Sequence, residues 1–318
     1  MTARERVAAI DCGTNTVRLL VIEGPAPTRE LVRRTRTIRL GEGVDRTHAF
    51  APAALDRLGV ALADYRRDLT RLGVADDRLR FVATSASRDV HDATPLRDVV
   101  ESTLGVRPEI ISGVEEADLS YAGALTGMPA QPMTLVVDLG GGSTELVVGR
   151  NGRPIAAWSM NVGGVRLTER HLDAHRPMSA AQHAAMVADV DCALDEAEAH
   201  VSLAGVERVI GVSDSVGMIA AVTAGVRAER FGELSGGCWS LDALQAACTR
   251  LIAADPHALA EMGVDRTRTD LVSAAAVIWS RVSARIAARS QCDHAIYSEH
   301  DILDGAAETL LAGGRDRR

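Results

Sequence analysis

The sequence contains no lysine: all 35 basic residues of the 318-residue chain are arginine. This absence excludes a Walker A phosphate loop and a Schiff-base enzyme, because each depends on a lysine amine. Arginine can still bind phosphate or carboxylate through its planar guanidinium group. With 43 acidic residues the formal net charge is −8, so we expect no general attraction to nucleic acid.

Aromatic residues make up only 3% of the chain against 47% for all hydrophobic residues, so the cores must consist mainly of aliphatic side chains. Five cysteines without CxxC or another metal-ligand spacing argue against a disulfide framework or a zinc site and are typical of a reducing compartment. The N-terminus lacks a signal-peptide pattern, and no apolar run approaches the ~18 residues of a membrane helix. The sequence therefore predicts a cytoplasmic protein with no membrane partner.

One motif occurs twice. Residues 7–24 (VAAIDCGTNTVRLLVIEG) and 134–149 (TLVVDLGGGSTELVVG) each contain an apolar run, an aspartate, a turn of small polar residues and a second apolar run. The two aspartates are 127 residues apart, which is the length of one domain. We infer a duplicated α/β domain in which two hairpin turns face each other across a cleft.

The remaining patterns predict alternating strands and helices. Strands are predicted at 7–11, 17–23, 31–40, 79–84, 107–111, 133–138, 144–149, 154–161, 206–212 and 294–298. Helices are predicted at 52–72, 95–104, from 112, at 179–203, 240–254, 270–289 and 301–312, with Ser179 and Ser240 as N-caps. The segment GMPAQP predicts a boundary between domains 1–126 and 127–318, and the last helix is free to pack back on the first domain.

The composition of the two turns suggests an anion site. Glycine, serine, threonine and asparagine expose backbone N–H groups and hydroxyls, which together bind anions. An aspartate at the start of each turn can hold a divalent cation that neutralises phosphate. A single aspartate before a glycine turn is most often simple turn chemistry. Two matched hairpins at domain spacing favour the phosphate interpretation.

Several segments together resemble the exopolyphosphatase/guanosine pentaphosphate phosphatase (Ppx/GppA) family, in its short two-domain form. They are IDCGTNTVRLL, ATSASRD, ISGVEEA, VVDLGGGSTELVVG, VGGVRLTER and SEHDILDG. The resemblance implies two ribonuclease-H-like domains of the actin-like ATPase superfamily around a central cleft. It also implies a hydrolase that uses Mg²⁺, or Mn²⁺, to release terminal phosphate from polyphosphate or guanosine pentaphosphate.

Two adjacent glutamates begin the predicted helix after residue 112. Ser112 and Glu115 fit an S-x-x-E capping box, so Glu115 is most simply structural and Glu116 is free to face the cleft. The resemblance implies that Glu116 is the general base, which activates the water that attacks the terminal phosphoryl group. The alternative is that Glu116 is a second solvated acid, favoured by the helix dipole.

Asp138 and Glu145 are seven residues apart on either side of the second turn, which suits a Mg²⁺ ion held by carboxylates, waters and substrate oxygens. The resemblance assigns both to the metal, and Asp11 could share it; the alternative is a hairpin with incidental acids. The resemblance implies a phosphate site that also includes Arg88, which could instead pair with Asp89 or Asp92. Its other members are Thr14, Asn15, Gly141, Gly142 and Ser143.

Other residues allow more than one interpretation. The stretch 29–39 (RELVRRTRTIR) holds five arginines, which could guide a polyanion or protect an edge strand from aggregation. Arg166 is a further candidate for a cleft contact. Cys12 has no obvious histidine partner and is expected to be a small buried residue.

The sequence departs from the family pattern in three places. Asp214 and Ser215 stand where the second domain usually has a Gly–Thr phosphate turn, and an acid there repels phosphate unless a cation compensates it. Residues 273–275 are Ser-Ala-Ala where a glycine-rich run is usual, which favours an uninterrupted helix. Asp92 replaces the usual asparagine. We therefore expect a weaker hold on the distant part of a long polyphosphate.

These departures keep alternatives open. The protein could be a 5′-phosphatase of guanosine pentaphosphate or another nucleotide, or a non-catalytic sensor of such ligands. The superfamily also contains sugar kinases, but the GxEEA segment resembles a hydrolase feature. The alanine-rich helices could support a homodimer.

Overall fold

The structure is a computed structural model that describes residues 5–24, 27–129, 131–172 and 177–313. Its contacts divide the chain into two compact units, Met1–Leu119 with Ile302–Arg318, and Ser120–Asp301. The predicted domain limits of 1–126 and 127–318 stay a prediction. Within the described ranges, no helix is long and apolar enough to span a membrane.

The eleven strands of the described residues form two mixed sheets. They are β1 (Arg6–Cys12), β2 (Thr16–Glu23), β3 (Arg29–Thr37), β4 (Leu79–Ala83), β5 (Glu109–Ile110), β6 (Thr134–Leu139), β7 (Thr144–Arg150), β8 (Arg153–Met160), β9 (Arg208–Val212), β10 (Cys238–Ser240) and β11 (His294–Ser298).

Twelve α-helices surround these sheets in the described parts of the chain. They are α1 (Val44–Thr47), α2 (Pro52–Leu72), α3 (Ser85–Arg88), α4 (Thr94–Leu104), α5 (Gly113–Ala124), α6 (Gly164–His171), α7 (Ala180–Glu198), α8 (Asp214–Ala224), α9 (Leu241–Ala253), α10 (Pro256–Glu261), α11 (Val272–Arg289) and α12 (Ile302–Gly313). The described ranges also contain 3₁₀ segments at Asp76–Arg78 and Ala228–Leu234.

The sheet of the first unit has the strand order β3-β2-β1-β4-β5. Its central strand β1 is antiparallel to β2 and parallel to β4. Side chains alternate between the two faces of a strand, and both faces of β1 are buried. Ala8 and Ile10 belong to the core with α2 and α4, whereas Val7 and Ala9 belong to the core with α12. The strand therefore reads as a continuous apolar run.

Helix α2 shows how local sequence specifies these elements. It begins at Pro52, whose fixed φ suits the first helical turn, and ends before Gly73, which adopts a left-handed φ of 65°. Leu58, Leu62 and Leu69 follow helical spacing and are buried in the first unit's core. The prediction of a helix at 52–72 is confirmed.

The sheet of the second unit has the order β10-β11-β9-β6-β7-β8. Its strands β8-β7-β6-β9-β11 repeat the order and directions of the first sheet, since β6 is antiparallel to β7 and parallel to β9. Strand β10 is an addition, antiparallel to β11. The inferred duplication is thus confirmed at the level of topology.

Most predicted elements are found, and the predicted N-caps are confirmed, since Ser179 and Ser240 accept hydrogen bonds from Gln182 N and Ala243 N. The strand predicted at 31–40 ends earlier, at Thr37, because the backbone N–H groups of Ile38 and Arg39 donate to Asn15 O in the first hairpin turn. Helix α8 was missed, because its first residues were interpreted as a phosphate turn.

The arginine-rich stretch forms β3, which is an edge strand of its sheet. Its arginines pair with acids of the same unit: Arg33 with Asp304, and Arg34 with Asp68. These ion pairs support the interpretation of a protected edge. Cys12 is buried as expected, and burial raises the pKa of its thiol. All five cysteines are free thiols.

Candidate active site

The first hairpin turn, at residues 13–15, is supported by the chain that follows β3. Ile38 N and Arg39 N each lie 2.9 Å from Asn15 O, and Gly41 N lies 2.8 Å from Thr14 O. A Cβ atom at Gly41 would lie 2.2 Å from Thr14 Cγ2, so this approach requires glycine. These contacts fix the conformation of two predicted phosphate-binding residues, Thr14 and Asn15.

The second hairpin turn, at residues 140–143, is supported in the same way by the chain that follows β8. Gly164 N lies 3.1 Å from Gly140 O, and Val165 N lies 2.8 Å from Gly141 O. A Cβ atom at Gly163 would lie 2.5 Å from Gly141 C, so glycine is required here too. Predicted phosphate-site residues Gly141, Gly142 and Ser143 thus occupy a fixed turn, and the Ser143 side chain is buried.

Arg166 contacts this second turn directly. Its Nε donates to Gly142 O over 2.7 Å, and its backbone N donates to Gly141 O over 3.2 Å. The side chain is buried. Arg166 therefore helps to fix the turn and brings a positive charge next to it.

Asp11 in the first unit is held by an arginine. Asp11 and Arg18 are directly opposite each other on β1 and β2. Arg18 Nη2 lies 2.7 Å from Asp11 Oδ2, and Arg18 Nε lies 3.1 Å from the same oxygen. A charged hydrogen-bonded partner compensates a carboxylate that is only 5% exposed.

The second unit has two acids in the equivalent positions. Asp138 and Glu145 are directly opposite on β6 and β7, as Asp11 and Arg18 are on β1 and β2. Asp138 is 8% exposed and Glu145 is 1% exposed. Like charges directly opposite each other destabilise a strand pair. A divalent cation held by both carboxylates would offset this repulsion.

The donor set fits Mg²⁺ better than a transition metal. Within the described ranges, no three His, Cys, Asp or Glu residues are grouped so that they could hold a metal ion on their own. Mg²⁺ is usually bound by one or two carboxylates, and waters and substrate oxygens complete its coordination. Asp138 and Glu145 suit that pattern, whereas Asp11 is engaged by Arg18 and its predicted share in the cation stays a prediction.

Arg88 and Glu116 form an ion pair in the first unit. Arg88 Nη1 lies 2.6 Å from Glu116 Oε2 and 3.1 Å from Ile111 O. Arg88 is thus paired with Glu116, an acid that the sequence did not indicate as its partner. Asp92 instead accepts the Thr94 N–H over 2.9 Å at the start of α4, a bond that asparagine could also accept.

Glu116 has an unusual environment for a carboxylate. It is 8% exposed, and this burial raises its pKa from 4.5 to about 7. Arg88 opposes the rise through its charge and hydrogen bond, the nearby charge of Asp11 adds to it, and the Thr84 side chain opposes it by a hydrogen bond. Glu116 is therefore not the solvated helix acid of the alternative interpretation.

Glu115 differs from its neighbour. Its backbone N–H donates to Ser112 Oγ over 3.2 Å, which is one of the two hydrogen bonds of the predicted capping box. Its exposed side chain pairs with Arg80 over 2.9 Å. The two adjacent glutamates thus occupy contrasting environments, one exposed and one buried beside an arginine.

The departures in the second unit have structural explanations. Asp214 is the first residue of α8, and its carboxylate forms an ion pair with Arg268. The negative charge expected to repel phosphate is therefore compensated within the protein. Ser273, Ala274 and Ala275 are buried in the first turns of α11, which continues to Arg289 without interruption, as expected.

Several residues at these sites were missed from the sequence. They are Arg18, Thr84, Ser120, Ser159 and Arg268. Arg18 could have been found, because it lies seven residues after Asp11, as Glu145 lies seven after Asp138. The others contact their partners through the folded chain, and no local pattern identifies them.

The strand order and directions that the two sheets share are those of the two-domain actin-like ATPase fold. Residues 23–309 match the model of the Ppx/GppA phosphatase family, and the chain belongs to this family. It is 36% identical to Exopolyphosphatase 2 of Mycobacterium tuberculosis, over 97% of this chain and 99% of that protein.

Solved structures of related proteins match this chain over nearly its whole length. An exopolyphosphatase-like protein matches with a TM-score of 0.91 and 39% identity over 98% of this chain and 99% of its own. An exopolyphosphatase from Cytophaga hutchinsonii matches with a TM-score of 0.84 and 24% identity, over 97% and 98% of the two chains. An Aquifex aeolicus family member has a TM-score of 0.79 and 20% identity, over 99% and 100%. The last two likenesses show the fold.

These comparisons confirm the predicted family, the α/β two-domain actin-like ATPase fold and the prediction of an exopolyphosphatase-type enzyme. The roles of individual residues, the metal, the cytoplasmic location and a homodimer stay predictions.

Proposed function

We propose that the protein is an exopolyphosphatase that depends on Mg²⁺ and releases terminal phosphate from inorganic polyphosphate. The observation that carries this proposal is the environment of Glu116, which is buried, paired with Arg88, and has a pKa of about 7. The name of the Mycobacterium tuberculosis relative supports polyphosphate as the substrate.

Glu116 acts as the general base. A base is most effective when its pKa lies near the working pH, because it is then largely deprotonated and still basic enough to take a proton. Hydrolysis of a phosphoanhydride needs a positioned water more than a covalent nucleophile. Glu116 Oε accepts a proton from that water as its oxygen attacks the terminal phosphorus. The bond from this phosphorus to the bridging oxygen breaks, and the shortened polyphosphate leaves with that oxygen.

Arg88 binds the terminal phosphate. Its guanidinium group already holds an anionic oxygen, that of Glu116, at 2.6 Å. Phosphate oxygens are equivalent acceptors for the guanidinium fork. A phosphate that engages Arg88 is thereby brought next to the base, which is the arrangement that in-line attack by water requires.

The second unit has a candidate cation site and a further phosphate turn. Asp138 and Glu145 would hold Mg²⁺, which would supply positive charge to phosphate oxygens. The turn at residues 140–143 offers backbone N–H groups and the Ser143 hydroxyl to phosphate, and Arg166 adds a guanidinium beside it.

Phosphate release from long polyphosphate, short polyphosphate and guanosine pentaphosphate, measured side by side with Mg²⁺, tests this function. We expect release from polyphosphate that stops when EDTA is added. Faster turnover of guanosine pentaphosphate than of either polyphosphate would assign the protein to nucleotide hydrolysis instead. Binding of these ligands without any release would make it a sensor.

A further inference from the structure

Two serine hydroxyls hold the carboxylates of Asp138 and Glu145, which we call the acid pair. Ser120 Oγ on α5 lies 2.5 Å from Asp138 Oδ2, and Ser159 Oγ on β8 lies 2.7 Å from Glu145 Oε1. We propose that Ser120 and Ser159 are positioning residues that set the orientation of the acid pair for a divalent cation. This inference rests on the proposed function, since that function requires the cation.

The geometry of these bonds explains how a serine would act at a distance from the metal. A hydroxyl that donates to one oxygen fixes the rotation of the whole carboxylate, and so sets the direction of both oxygens. Partners of this kind hold the ligands of metal sites in place, and their loss typically weakens metal binding by about 10–100-fold. Ser120 is fully buried, so bulk solvent does not compete for its hydroxyl.

The first hairpin shows why neutral donors matter. There the buried Asp11 is held by the positive Arg18. At the equivalent place in the second hairpin stands an acid, Glu145. The hydroxyl groups orient the acid pair through hydrogen bonds that add no positive charge of their own. The buried acid of the first hairpin is thus held by arginine, and each of the two buried acids of the second hairpin accepts a hydrogen bond from a serine.

The test compares the Mn²⁺ affinities of purified full-length variants by electron paramagnetic resonance, at a temperature where all are folded. Ser120→Ala and Ser159→Ala each remove one hydroxyl, whereas Ser159→Thr keeps it. Ser283→Ala is the matched control, because Ser283 is also a buried serine of the second unit and its hydroxyl has no hydrogen-bond partner within the described residues. Phosphate release from polyphosphate by the unmodified protein is measured separately.

We expect the Kd for Mn²⁺ to rise by about 10-fold or more in each alanine variant and to stay near the original value in Ser159→Thr and Ser283→Ala. A purely structural role would lower Tm in the absence of a cation and leave the Kd unchanged. That outcome, or the absence of Mn²⁺ binding to the unmodified protein, overturns the inference. If the unmodified protein binds Mn²⁺ but releases no phosphate, the proposed function fails, whatever the serine variants show.

Discussion

Arg88 Nη1 lies 2.6 Å from Glu116 Oε2, so the predicted phosphate-binding arginine and the predicted base are bonded to each other in the first unit. The bond has two consequences. It stabilises the charged form of a buried carboxylate, which limits the rise of its pKa. It also means that a phosphate that binds Arg88 competes with Glu116 for the guanidinium group.

The pKa of Glu116 predicts the pH dependence of activity. A general base must be deprotonated, so kcat/KM for polyphosphate should fall as the pH drops below about 7. Arg88→Gln should shift this fall to higher pH, because the guanidinium lowers the pKa of Glu116. Profiles of kcat/KM against pH for both proteins check this, with Arg66→Ala, a surface arginine paired with Asp76, as the control. Coincident profiles for the Arg88 variant and the unmodified protein would contradict the coupling.

The same pKa predicts how stability changes with pH. Folded Glu116 binds its proton more tightly than the unfolded chain does, so between pH 4.5 and about 7 the folded state holds more protons. The contribution of Glu116 to the free energy of unfolding should therefore fall as the pH rises through this range. Glu116→Gln removes that contribution. The free energy of unfolding of the variant should therefore rise relative to that of the unmodified protein as the pH approaches 7. Urea unfolding of both proteins between pH 4.5 and 7 measures this difference in the free energy of unfolding. A difference that stays constant over this range would contradict the raised pKa of Glu116.

Much of the fold follows from sequence patterns, because hairpins and long helices have local signals. The two apolar–Asp–turn–apolar motifs predicted the β1–β2 and β6–β7 hairpins and their duplication. Helix α8 was missed because its first residues, Asp214 and Ser215, were interpreted as the place of a phosphate turn; Gly217 lies within this helix. A Cβ atom there would lie 2.7 Å from Phe231 Cδ2 and 2.8 Å from the Tyr297 ring, so this glycine serves packing rather than a turn.

The side-chain partners at the site were harder to predict. The hydrogen bond from Glu115 N to Ser112 could be predicted, because a cap is a contact within one helical turn. Arg268 and Asp214 are 54 positions apart, and Ser120 and Asp138 are 18 apart. Such pairs depend on how elements pack, which a single sequence does not encode as a local pattern.

The acid pair predicts the metal requirement. Asp138→Asn and Glu145→Gln should each raise the Mg²⁺ concentration needed for half-maximal phosphate release, because each removes one negative charge from the cation site. Asp195→Asn, at an exposed acid of the second unit, is the control and should leave it unchanged. Titration of Mg²⁺ against the rate of phosphate release measures the effect. Full activity of either acid-pair variant in EDTA would contradict the proposal that the enzyme needs a metal ion.

The ion pair between Asp214 and Arg268 gives a prediction about chain length. While Arg268 is paired, its charge is unavailable to distant phosphates. Asp214→Gly with Ser215→Thr should therefore strengthen the binding of long polyphosphate by about 1–3 kcal/mol, the range of a charge-assisted hydrogen bond. KM against chain length measures this, and adding Arg268→Ala should abolish the gain. An unchanged KM in the double variant would place Asp214 outside the path of the substrate.

The central claim is that Glu116 is the base, and the rate of phosphate release by Glu116→Gln tests it most directly. The assay uses polyphosphate at saturating Mg²⁺, and Glu115→Gln is the matched control, since the neighbouring residue is exposed and pairs with Arg80. We predict that Glu116→Gln lowers kcat by roughly 10²–10⁴-fold with polyphosphate binding largely intact, whereas Glu115→Gln stays close to the unmodified protein. A Glu116 variant that turns over as fast as the Glu115 variant would contradict the account.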